Sequence, residues 1–239
     1  MLVFAGYLWG FQTAVCLEVR HRAKKDPVLS RTLQRLPNSS VNASPGMRLS
    51  QGVYTFEVPW ADLDKAKSKT FENSSVFAFH SGLTVSFFGA GDGLLRMVQK
   101  DFGSLDAQSA QQLFGPDATS SNFMFHRTVL AETPSELEPW MSRRDAVRVS
   151  FLLLFKGACS VGGETGLFEL EENGWKGFQL DDPALGSKRV TLELYDAKDR
   201  HVEIVFHHGP SGAGLTQGDI NRVIRTLRRA DGSAPTSGG

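Results

Sequence analysis

The sequence predicts an α+β protein: an N-terminal transmembrane helix followed by one antiparallel-sheet domain with packed helices. Three observations carry this. The first 17 residues, MLVFAGYLWGFQTAVCL, hold no charged side chain, and a helix needs about 17–25 mostly apolar residues to cross a bilayer. Several short runs alternate apolar and polar residues with the period of a half-buried strand. Three Ser or Thr residues are each followed three positions later by Asp or Glu, the sequence sign of a helix start. The 239 residues are 41% hydrophobic and 22% charged, as in ordinary globular chains. Lys plus Arg and Asp plus Glu both number 26, so no net charge draws the chain to nucleic acid.

In chain order, residues 1–19 are expected as a membrane anchor. Residues 1–17 contact the bilayer in this reading; a cleaved leader and a soluble amphipathic N-terminus are the rival readings. The stretch Glu18 to Arg48 carries seven basic and two acidic residues. With these cations all after the helix, the positive-inside rule places the C-terminal part in the cytoplasm, with the exported side as the alternative. Residues 20–50, basic and rich in Pro, Ser and Asn, read as a tether. Residues 51–229 read as the globular domain. The last residues, 230–239, have nothing to anchor them to a core and read as a disordered tail.

Within the domain, Tyr54, Phe56 and Val58 alternate with polar neighbours and stop at Pro59. VFAFHSGLTVSFFG reads as a hairpin: Phe77 and Phe79, a Ser81-Gly82 turn, then Leu83, Val85 and Phe87 returning. A helix is expected over about 92–101. Phe123 and Phe125 alternate, which predicts a strand over 122–129. Thr133 with Glu136, Ser142 with Asp145, and Thr216 with Asp219 open predicted helices. The second of these runs through SRRDAVRVSFLLLFKGA, apolar on all sides from Phe151 to Phe155. A second hairpin is expected from Val190, Leu192 and Leu194 through a turn at 196–199 to Val202, Ile204 and Phe206. The order Phe56-Glu57-Val58, hairpin, helix repeats as Phe168-Glu169-Leu170, hairpin, helix, so two strand-hairpin-helix halves are an alternative plan.

FEVPWADLDKAKSK before a Gly-turned hairpin, and VEIVFH before a closing amphipathic helix, resemble bacterial pleckstrin-homology-like modules. That resemblance implies a bent sheet plugged by one C-terminal helix. The VPW and SRRDAVRVS stretches are also similar to uncharacterised single-pass, membrane-anchored bacterial proteins, a likeness that implies no activity.

The sequence carries few signs of chemistry. His207 and His208 are adjacent and on a strand point to opposite faces. No His-x-x-x-His, His-Glu-x-x-His or Cys-x-x-Cys spacing occurs, so no metal or cofactor is expected. Ala-Cys159-Ser160-Val-Gly lacks the strand-turn-helix order of a nucleophile elbow. The runs Gly89-Ala-Gly91-Asp-Gly93 and Gly209-Pro-Ser-Gly212-Ala-Gly214 complete no nucleotide motif and read as loops. The strongest binding candidates are Arg143, Arg144 and Arg148 with Trp140, at a helix N-terminus where the dipole disfavours cations. They suit an anionic headgroup or a partner's carboxylates. Trp60 is a second candidate anchor. The expectation is therefore a membrane-tethered, non-enzymatic binding or assembly module. The alternative is an anchored hydrolase or lipid-modifying enzyme that uses His80, His126 or His207 with dispersed Asp and Ser partners.

Overall fold

The computed structural model describes residues 17–21, 25–37, 46–101, 106–138, 140–159, 165–209 and 214–230. The chain divides into two compact units. One comprises residues 34–93 with 165–239, the other residues 1–33 with 94–164.

The first unit is built on an eight-stranded sheet and a three-stranded one. Strands β1 (Gln34–Arg35), β2 (Met47–Gln51), β3 (Tyr54–Val58), β4 (Lys69–Thr70), β5 (Ser74–Ala78) and β6 (Leu83–Gly91) precede the helical insertion. After it come β7 (Leu167–Glu172), β8 (Trp175–Leu180), β9 (Arg189–Tyr195), β10 (His201–His208) and β11 (Arg228–Arg229). The large sheet has the order β1-β7-β8-β9-β10-β6-β5-β4, and β11-β3-β2 form the small one. The two predicted hairpins, β5–β6 and β9–β10, lie side by side because β6 pairs with β10. Gly82, at a φ of 85°, makes the first turn, where only glycine adopts the left-handed conformation at no steric cost. Asn173 and Gly174, at φ 56° and 76°, turn β7 into β8 as an Asn-Gly hairpin requires.

The apolar residues of these strands alternate into one core. Phe56, Val85, Phe87, Val190, Leu192, Leu194, Val202, Ile204 and Phe206 are buried there. A helix at Gln217–Thr226 closes it with Ile220, Val223 and Ile224. Its Thr216–Asp219 capping box is present as read from the sequence. The same helix is keyed to β8 by a reciprocal amide pair, Gln179 Nε2 to Gln217 Oε1 and Gln217 Nε2 to Gln179 Oε1, both 2.8 Å.

The second unit is helical: α1 (Leu94–Asp101), α2 (Ala107–Phe114), α3 (Asn122–Ala131) and α4 (Arg143–Cys159). The Gln217–Thr226 helix is therefore α5. Leu94, Leu95, Val98, Phe114, Phe125, Val129 and Leu152 share one core. Phe114 meets Phe125 edge-on at 5.1 Å.

Several expectations are corrected. Among the described residues no helix is long and apolar enough to cross a membrane. The predicted N-terminal transmembrane helix, the single-pass membrane location and the bilayer contact through residues 1–17 are therefore not supported, and residues 1–16 lie outside the described residues. The first described stretch, 17–21, is helical and already carries Glu18, Arg20 and His21. The sheet is mixed instead of antiparallel, because β1 runs parallel to β7. The predicted strand over 122–129 is helix α3. Its buried residues Phe125, His126, Val129 and Leu130 recur at helical spacing, and Ser121 Oγ caps it by accepting from Met124 N at 3.0 Å. The two-halves plan fails at its helices. Helix α1 belongs to the helical unit, whereas α5 packs on the sheet.

In the stretch read as a tether, Pro27–Ser30 forms a 3-10 turn with Val28 and Leu29 buried, and Met47–Gln51 is β2. Of the glycine-rich runs, Gly89 and Gly91 are part of β6, and 210–213 lie outside the described residues. So does the tail from 231 onward.

Candidate functional site

Helix α4 positions most of the predicted binding residues. Ser142 starts it: its Oγ accepts from Asp145 N at 3.1 Å and donates to the Asp145 carboxylate at 2.6 Å. One side of the helix is core. Ala146, Val149, Leu152, Leu153 and Lys156 are buried along it. The opposite side is open: Val147 is 44% exposed and Leu154 58%. Trp140, three residues before the helix, is 76% exposed.

Arg143 and Arg144 are exposed on either side of the Val147–Leu154 line at its N-terminal end. Neither has an ion-pair partner among the described residues. Arg148 turns away from them toward Glu132, with Nη1 3.9 Å from Oε2. Thus Arg143 and Arg144 are exposed at the start of the helix, Trp140 is exposed just before it, and Arg148 is committed to an internal pair. Trp60 belongs to the other unit, where it packs edge-on against Phe79 at 5.5 Å and Phe206 at 6.5 Å.

On the buried side of α4 lies a group that the sequence patterns do not flag. Lys156 is fully buried, and its ammonium donates to the backbone carbonyls of Arg31 (2.6 Å) and Glu132 (2.7 Å). Burial pulls its pKa from 10.5 to about 8, against the pull of the Glu132 charge. Burial likewise holds the Glu132 carboxyl above its usual range, opposed by Arg148. The only sequence signal for this cluster is a lysine inside an apolar helical run.

The histidines do not converge. His80 stands by the β5–β6 turn, with Nδ1 3.7 Å from Asp64. His126 is buried in α3 of the other unit. His207 is exposed on β10, and His208 Nε2 lies 2.9 Å from Ser187 O. Among the described residues the shortest His–carboxylate contact is one not singled out from the sequence. His201 Nε2 lies 2.5 Å from Glu193 Oε2, with the Tyr195 ring 5.0 Å from the imidazole. Glu203 sits directly across the strands from Glu193, and its carboxyl is held above the usual range by burial and then by that like charge. Arg189 approaches Glu203 at 3.8 Å. The β9–β10 turn sets this register, so the signal was in the hairpin. Among the described residues no group of three His, Cys, Asp or Glu is placed to hold a metal ion.

A cleft of about 60 Å³ lies between β1, β7 and α5, lined by Arg35, Leu170, Asn221 and Arg225 among others. Its charges are largely paired in place: Arg225 with Glu172 at 3.3 Å, and Glu171 with Lys176 at 3.4 Å. That volume accommodates a few waters.

No protein-family model, curated protein or solved structure matches the chain. The resemblances to pleckstrin-homology-like modules and to single-pass anchored bacterial proteins are therefore not supported. The helical insertion between β6 and β7 and the mixed sheet separate this architecture from a sheet plugged by one helix.

Proposed function

We propose that this protein is a non-enzymatic binding or assembly module that docks a protein partner on the open face of α4. One observation carries the reading. A helix whose opposite side is core presents Val147 and Leu154 to solvent, beside two arginines that no described carboxylate neutralises, and Trp140, in the turn just before it, is also exposed. Trp and Arg are the residues that most often dominate interface energetics. Fully burying side chains of the Val and Leu type is worth about 1.5–3 kcal/mol each. Guanidinium groups without a carboxylate partner among the described residues, next to such a line, favour a partner surface bearing carboxylates.

The test is site-specific photo-crosslinking in the cells that make the protein. A benzophenone side chain replaces Val147 or Leu154 in the full chain, and exposed Gln112 of α2 in the control. The expected result is one discrete protein adduct at both α4 positions and none at Gln112. The adduct is lost on Trp140→Ala, and its cross-linked peptide is acidic and apolar. Equal labelling at all three positions, or none at the α4 pair, overturns the reading.

A further inference from the structure

The open face of α4 has an internal order that specifies its occupant. Arg144, Val147, Phe151, Leu154 and Ala158 follow one another at spacings of three, four, three and four, the a/d alternation of a coiled-coil seam. At about 100° per residue they stay on one side of the helix. Val147, Leu154 and Ala158 are exposed, and Phe151 is half-buried at the edge of this face, its ring against Phe155 at 5.1 Å and against Phe114 of the unit's own core at 6.3 Å. Ala158 leaves room for close approach at the C-terminal end. Arg144 occupies a seam position itself, with Arg143 flanking it.

We infer that the partner's contact element is an α-helix bearing apolar residues at heptad spacing and Asp or Glu opposite Arg143 and Arg144, packed along α4 as in a coiled coil. This rests on the reading of α4 as a docking face. A charged residue within a seam selects partner and register, because the wrong partner leaves it unneutralised. That argues against a second copy of this chain: side by side in parallel, Arg144 would face Arg144, and in antiparallel order it would lie over Ala158. It also argues against the chain's own first 17 residues, which contain no carboxylate side chain.

The test uses two fluorescein-labelled four-heptad peptides with Leu at a and d, one with Glu at all e and g positions and one with Lys. Fluorescence anisotropy measures their binding to the full chain and to the Arg143→Glu/Arg144→Glu variant, with circular dichroism confirming that the variant folds. The acidic peptide is expected to bind the unaltered chain about tenfold more tightly than the basic one, as two charge pairs allow. The preference inverts in the variant, and Leu154→Lys removes binding of both. If neither peptide binds while the Leu154 photoadduct still forms on an extended segment or a second copy, the helical partner is wrong and the docking face stands. If neither peptide binds and no adduct forms, both fall.

Discussion

Replacing Lys156 by Met tests the buried charge under α4, and the pH dependence of the change is more informative than its size at any one pH. In the folded chain Lys156 titrates at about 8, against 10.5 for the ordinary side chain. Below pH 8 both states are protonated, and the folded state bears the full cost of burying an ammonium. Between 8 and 10.5 the unfolded chain binds the extra proton, so stability rises with pH across that window. The full gain is about 3 kcal/mol, at 1.36 kcal/mol per pKa unit. No hydrogen bond is sacrificed, because a neutral amine keeps two N–H donors and two carbonyls, those of Arg31 and Glu132, accept from this group. Urea unfolding followed by far-UV circular dichroism at pH 7, 8, 9 and 10 gives the difference between the unaltered chain and Lys156→Met. Other groups that titrate in this range act on both proteins and cancel. The difference is expected to move in favour of the unaltered chain by about 2–3 kcal/mol between pH 7 and 10. A difference flat to within about 0.5 kcal/mol, or one moving the other way, would refute the desolvated-lysine account.

Three further outcomes follow from the same reasoning. Gly177→Ala would put a Cβ 2.1 Å from the Glu193 carbonyl oxygen on β9. It is expected to cost about 3 kcal/mol or more, read as a fall in urea midpoint or a failure to fold. Thr216→Ala removes the cap of α5 and should cost about 1 kcal/mol in thermal or urea unfolding, with no change in secondary structure. Glu132→Gln removes a carboxyl whose folded pKa is raised above its ordinary 4.5. The unaltered chain should therefore lose stability relative to this variant as pH climbs above 4.5, and unfolding at pH 4 and 7 measures that slope.

Local patterns carried well from sequence to structure. Strand β3, the β5–β6 and β9–β10 hairpins and the capping box of α5 are each specified within a few residues, by alternation, turn chemistry or a cap. Errors arose where two periods fit the same residues. Phe123 and Phe125 suit a strand, yet α3 buries Phe125 with Val129, four apart, and leaves Phe123 half-buried. Parallel pairing of β1 with β7 joins a two-residue strand to a partner more than 130 positions away, and no local pattern reports such a contact. The division into two units depends on the same kind of long-range pairing, since β6 meets β10 only after the helical insertion has left the sheet. At the candidate site, the helix that Arg143 and Arg144 open was legible from its Ser142–Asp145 cap. The loss of Arg148 to Glu132 was not, because it depends on how α3 lies against α4.

The central claim is that the open face of α4 is covered by a partner when the protein is in its native surroundings. Hydroxyl-radical footprinting of the full chain, first purified and then in native cell extract, tests it whatever the partner is. Leu185, 65% exposed on the sheet-bearing unit, serves as the internal reference against Trp140 and Leu154. The account predicts that oxidation of Trp140 and Leu154 falls several-fold in extract while Leu185 is unchanged. Equal oxidation of all three residues in both settings would contradict it.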